Sequence, residues 1–178
     1  ASDIASITPF SNNATIASYP KGSARRETPA DIRVVQIDEA MSIANAGESV
    51  SLPTAVGFCM WVSRAAWQEV GGFDERFGRG YGEEVEFCMA TAANGWRHLL
   101  ACDVFVYHAG GTSFGYESEQ LKVEAQQIID DRYPQFPDLV QDWIREDAAL
   151  DARVRCDVQL LGLTDVPRIL HVTHNMGG

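Results

Sequence analysis

Positive charge is in short supply in this chain. Its 178 residues carry 14 Lys and Arg against 25 Asp and Glu, a formal net charge of −11. Such a surface repels phosphate backbones and anionic headgroups, so no nucleic-acid partner is expected. Long apolar runs are also missing: no stretch approaches the roughly 20 residues that cross a bilayer, and no transmembrane segment is expected. The opening ASDIASITPF lacks a basic region followed by an apolar one, so it does not read as a secretory signal. Cysteine is sparse and irregular. Cys59, Cys88, Cys102 and Cys156 show no C-x-x-C spacing, and three of them sit inside apolar runs. That argues against a zinc cluster or a disulfide framework and for buried thiols in a reducing compartment. The expected location is cytoplasmic, in a parent protein that can lie peripheral to the inner face of the membrane. Internal repeats and low-complexity tracts are absent.

What is present suits one globular domain, with 46% hydrophobic residues. Ile4 to Thr8 is β-branched and apolar and reads as a strand, followed by a loop rich in Asn, Ser, Gly and Pro. A short helix is expected within 31–46. The run TAVGFCMWVS, 54–63, is almost continuously apolar and predicts a buried strand. Ser63 is a candidate N-cap for a helix over RAAWQEV, which Gly71 and Gly72 would end. A helix starting near Gly82 and stopping at Asn94-Gly95, a strand from His98 to Tyr107 and a helix over 117–131 follow. Leu121, Ala125 and Ile128 share one face of that last helix. After Pro134 and Pro137, Val140, Trp143 and Ile144 mark a further helix over 139–150. Residues 153–163 and 168–173 read as strands. The alternation predicts an α/β domain with a mixed sheet flanked by helices.

Three glutamates, Glu83, Glu84 and Glu86, crowd the start of the helix that follows Gly82. A helix N-terminus favours negative charge by about 0.3–1 kcal/mol per group, and this alone accounts for them about as well as catalysis does. Two details favour chemistry. Glu84 shares a face with Phe87, Cys88 and Thr91 by the i, i+3, i+4 rule, so it heads the apolar stripe and should point inward. A carboxylate at an apolar edge has its pKa raised and can act as a general base. Glu83 and Glu86 are expected to point aside. The second detail is His108, which ends an apolar strand ahead of Gly110 and Gly111. A lone His there is more often structural than a ligand, but beside an acidic cluster it is also a candidate metal ligand.

Residues 52–114 combine a small-residue segment with Gly57, a G-G-F-D-E turn at Gly71 to Glu75, the acidic pair Glu83-Glu84 and a strand leading to His108. This combination resembles the C-terminal half of the catalytic domain of family 2 glycosyltransferases of the GT-A type, and ITPFSNNATIASYP looks like the segment that follows the nucleotide-binding half. The resemblance implies sugar transfer from a nucleotide-diphosphate donor to a glycan acceptor hydroxyl with inversion, as in bacterial polysaccharide synthesis. It implies that Glu84 is the base, that Glu83 orients the acceptor or the loop, and that His108 adds a ligand to a divalent cation, Mg²⁺ or Mn²⁺, on the diphosphate. Gly57, Phe58 and Tyr81 are candidate substrate-lining residues, although aromatics beside strands are more often core.

Several departures from the family pattern stand out. Glu84 replaces the usual Asp, Ala90 stands where an Arg is common, and Glu86 where an Asp is common. The Asp-x-Asp motif of the nucleotide-binding half is missing, and Asp130-Asp131 falls on a predicted helix. The chain is therefore expected to be part of a longer protein and to transfer no sugar by itself. An open sheet edge where that half would sit is expected, with self-association through it. RILHVTHNMGG is similar to the first strand and glycine loop of GT-B type family 4 glycosyltransferases. The implied division is 1–133 for the acceptor-side domain, 134–166 for a helical and strand extension and linker, and 167–178 for the start of a second module. The alternative from another class is a non-catalytic carbohydrate- or divalent-cation-binding module, in which the acidic loop chelates Ca²⁺.

Overall fold

The computed structural model describes residues 3–21, 33–77, 81–109 and 118–163. The fold is α/β. Its four strands are β1 (Ile4–Phe10), β2 (Ser49–Leu52), β3 (Trp61–Val62) and β4 (Arg97–Phe105), in the sheet order β2-β4-β1-β3. β1 and β4 form a parallel centre with Ile7 opposite Leu99 and Thr8 opposite Leu100. β2 runs antiparallel to β4, and β3 antiparallel to β1, so the sheet is mixed as expected. Six α-helices flank it among the described residues: α1 (Val34–Ala44), α2 (Arg64–Val70), α3 (Glu83–Ala93), α4 (Ser118–Arg132), α5 (Phe136–Glu146) and α6 (Leu150–Leu163).

The largest core joins Phe10, Leu100, Cys102 and Phe105 of the sheet to Ile37, Ala40 and Met41 of α1 and Ala149, Ala152, Cys156 and Leu160 around α6. A second core sets Ala5 against Ala55, Ala66, Phe87 and Cys88, which brings in α2 and α3. A third packs Ala125 and Ile129 of α4 on Phe77. A polar pin joins the sheet to α3. Buried His98 on β4 has Nδ1 2.8 Å from Ser6 Oγ on β1 and Nε2 3.0 Å from the Cys88 carbonyl and 3.3 Å from Thr91 Oγ1.

Three expectations are corrected. The apolar run 54–63 is not a buried strand, and only Trp61 and Val62 pair with β1. Its preceding part is held by side chains instead, with Ala55 N–H donating to Cys88 Sγ at 3.3 Å and Val56 N–H to Thr8 Oγ1 at 3.2 Å. Residues 153–163 belong to helix α6, where Ala149, Ala152, Cys156 and Leu160 recur at helical spacing and are buried. Pro137 does not break a helix but lies in the first turn of α5, where a missing N–H costs nothing. Ser63 occupies the N-cap of α2 without a side-chain bond, and β2 was not expected at all.

The expected strand 168–173, with its glycine loop and with His171 and His174, lies outside the described residues. Among the described residues no helix is long and apolar enough to cross a membrane. All four cysteines are free, and burial pushes the thiols of Cys88, Cys102 and Cys156 up to about 11. No described strand pairs with the outer side of β2 or β3. The two edges differ: Trp143 Nε1–H of α5 donates to the Ser51 carbonyl of β2 at 2.7 Å, whereas Trp61 on β3 is 56% exposed.

Candidate active site

Gly82 starts α3 from the left-handed region, at φ 85°. A Cβ there would fall 2.9 Å from Phe77 Cδ1, so both backbone and space call for glycine. The turn aims the first helical residues, Glu83, Glu84 and Glu86, at three different surroundings.

Glu84 is partly buried, as its place at the head of the Phe87, Cys88 and Thr91 stripe predicts, and those three are fully buried. Its carboxyl lies beside Gly57, where an added Cβ would stand 3.5 Å from Glu84 Cδ, in ordinary van der Waals contact. Burial is the largest influence on this group and pushes its pKa above the ordinary carboxylate range, and the charge of Glu83 adds to that. Backbone N–H groups of Glu84, Gly82 and Gly57 pull the other way without reversing it. Among the described residues no Lys or Arg pairs with Glu84.

Glu86 also has its pKa raised by burial, but it has partners. Tyr133 Oη–H donates to it at 3.3 Å and Arg132 Nη1–H at 3.2 Å. Arg132 also reaches Asp74 at 3.0 Å, so one guanidinium ties the G-G-F-D-E turn to α3. Nothing in the local sequence singled out Arg132, because its role comes from α4 folding back over the turn. Glu83 Oε2 is buried and has no hydrogen-bond partner among the described residues.

His108 follows β4 and is anchored to the segment after β1. Its N–H donates to Asn12 Oδ1 at 2.8 Å, its carbonyl accepts from Asn12 Nδ2 at 3.2 Å, and its ring Nδ1 lies 2.7 Å from the Asn13 carbonyl. Phe58 stacks on the imidazole with centroids 5.0 Å apart and planes 14° from parallel. The neighbours Gly57 and Phe58 therefore join the two candidate groups, the first touching Glu84 and the second His108.

Tyr81 stands apart from this junction. It packs with α4 residues in the third core, and Lys122 Nζ lies 5.0 Å from its ring centroid. Asp130-Asp131 lies on α4 as predicted. Among the described residues no three His, Cys, Asp or Glu side chains converge to hold a metal ion, so Glu83, Glu84 and His108 do not form a closed cation site. The chain matches no protein-family model, no curated protein and no solved structure.

Proposed function

We propose that this chain is the acceptor-side part of an inverting glycosyltransferase that moves a sugar from a nucleotide-diphosphate donor to an acceptor hydroxyl. The observation that carries this reading is the placement of Glu84: inward at a helix start, beside a glycine, without a cation among the described residues, and with its proton affinity raised by burial. A base of this kind accepts the hydroxyl proton as the acceptor oxygen forms its bond to the anomeric carbon and the bond to the diphosphate breaks. Gly57 N–H bonds the Glu84 carboxyl, and Phe58 stacks on His108.

The donor set of this chain fits a divalent cation through one ligand. His108 directs Nδ1–H to a backbone carbonyl, the arrangement common behind metal-ligating histidines, and so has Nε2 to offer beside diphosphate oxygens. His108 would be one ligand to Mg²⁺ or Mn²⁺, whose charge would offset that of the leaving diphosphate.

The test is sugar transfer from a panel of labelled nucleotide-sugars by the full-length protein, comparing wild type with Glu84→Gln. Loss of a proton acceptor predicts a fall in kcat of about 10²–10⁴-fold. Unchanged turnover in Glu84→Gln refutes the assignment. The chain by itself is expected to show no turnover. Micromolar Ca²⁺ binding by calorimetry, in a protein without transferase activity, would establish the binding-module alternative instead.

A further inference from the structure

We propose that Asn12 and Phe58 are positioning residues that lock His108 in its Nδ1–H tautomer, so that the Nε2 lone pair is what the site presents. The ligand role of that lone pair rests on the transferase reading above; the lock itself does not.

The argument starts from a carbonyl. An oxygen of this kind can only accept, so an Nδ1 held 2.7 Å from the Asn13 carbonyl must carry the proton. In the neutral ring Nε2 is then an acceptor, and among the described residues none donates to it. Three groups hold the ring there. Asn12, only 3% exposed, brackets the His108 main chain with both ends of its amide. This side chain continues the parallel β1–β4 pairing past its last ladder bond, Val106 N–H to the Phe10 carbonyl at 2.9 Å. Bracketing fixes the Cα of His108 relative to residues 12–13 and so delivers Nδ1 to the next carbonyl along. Phe58 then restricts rotation about χ2 by covering a ring face at near-parallel geometry.

His98, on β4 itself, supplies the contrast. It is 3% exposed and both its ring nitrogens are engaged by protein, Nδ1 by Ser6 and Nε2 by the Cys88 carbonyl. A histidine that only fills the core looks like that one. His108 is half-buried, engaged through one ring nitrogen among the described residues, and held by contacts reaching 96 residues upstream.

The test is nitrogen-15 NMR of the histidine rings in the chain, at a pH above imidazole titration, with His108 assigned by its loss in His108→Gln. Wild type is expected to show protonated Nδ1 and bare Nε2 at His108, and added Mn²⁺ is expected to broaden its ring signals. Asn12→Ala should yield a mixture of tautomers and need about 10–100-fold more Mn²⁺ for the same broadening. Asn12→Asp, which keeps the oxygen facing His108 N–H, should recover part of the difference. Phe58→Leu provides a second variant should Asn12→Ala fail to fold, and it too should loosen the tautomer. A wild-type proton on Nε2 overturns the proposal, as do Asn12 and Phe58 variants with wild-type tautomer and Mn²⁺ response. Failure of the transferase reading appears in the Glu84→Gln assay and leaves these tautomer signals unmoved.

Discussion

At the start of α3, Glu84 lies against Gly57 with backbone amides near it and no described cation, while just past α5 Asp147 accepts from Lys21 at 2.5 Å and Arg153 at 2.6 Å. The helix dipoles alone would rank them the other way, since an acid is favoured at an N-terminus and opposed at a C-terminus. Asp147 stands at the C-cap of α5, at φ 48°, and burial by itself would raise its pKa. The Lys21 hydrogen bond and the two cationic charges outweigh this, and its carboxyl is held below the ordinary range. Glu84 has the favourable end of a helix and still has its pKa raised, because desolvation wins where no counter-ion is supplied. The fold supplies two cations to the acid at Asp147 and, among the described residues, none to Glu84.

The largest effect that would break this contrast is expected at Arg153, which is 5% exposed. It donates to the carbonyls of Ser18 at 3.0 Å and Ile16 at 3.1 Å as well as to Asp147, and lies 5.5 Å from the Phe10 ring centroid. Arg153→Met should lower unfolding stability by about 3–5 kcal/mol in urea titrations, because it leaves buried acceptors without a donor. Asp147→Asn comes next, at about 1–3 kcal/mol at neutral pH. Its pH dependence carries the sign. A depressed carboxyl contributes stability above the unfolded pKa near 3.8 and loses it as pH falls through the lower folded value. The gap between wild type and Asp147→Asn should therefore close in acid.

Glu84 should behave in the opposite sense and more weakly. With its folded pKa raised above the ordinary 4.5, its contribution is favourable below that value and is lost as pH rises through the folded pKa. Glu84→Gln should be more thermostable than wild type at neutral pH, by about 0.5–2 kcal/mol, and lose that advantage in acid. A destabilised Glu84→Gln at neutral pH would mean that the carboxylate is needed by the fold, and would remove the contrast with Asp147.

Local pattern made much of this legible. The start and stop of α3, the closure of α2 by Gly71 at φ 86°, the span of β4 and the inward aim of Glu84 all follow from spacing and caps. What stayed hidden depends on partners far along the chain. β2 exists because Ser49 to Leu52 finds an edge of β4, and its alternation is too short to announce it. The 54–63 run has the composition of a strand, but only Trp61 and Val62 pair, while the N–H groups of Ala55 and Val56 go to the side chains of Cys88 and Thr8, partners that only folding supplies. α6 was misread because Val154 and Val158 are β-branched, although both lie on its exposed side and the helical spacing of its small and apolar inner residues decides. At the candidate site, residue type and spacing pointed to Glu84 and His108. Neither Arg132 nor the Asn12 bracket could be read, since each acts on a residue brought to it only by folding.

The pin at His98 carries a consequence for how the carboxylate is steered. Thr91, which contacts that imidazole, lies two turns beyond Glu84 on α3, and two turns return a helix to nearly the same bearing. Rotation of α3 about its long axis is thus blocked from its far end, by a neutral ring seated between two hydroxyls and a carbonyl. A change at Ser6, Thr91 or His98 is expected to turn Glu84 off its heading while Gly57, Phe58 and His108 stay in place, so loss of this interior pin would mimic a substitution of Glu84 itself.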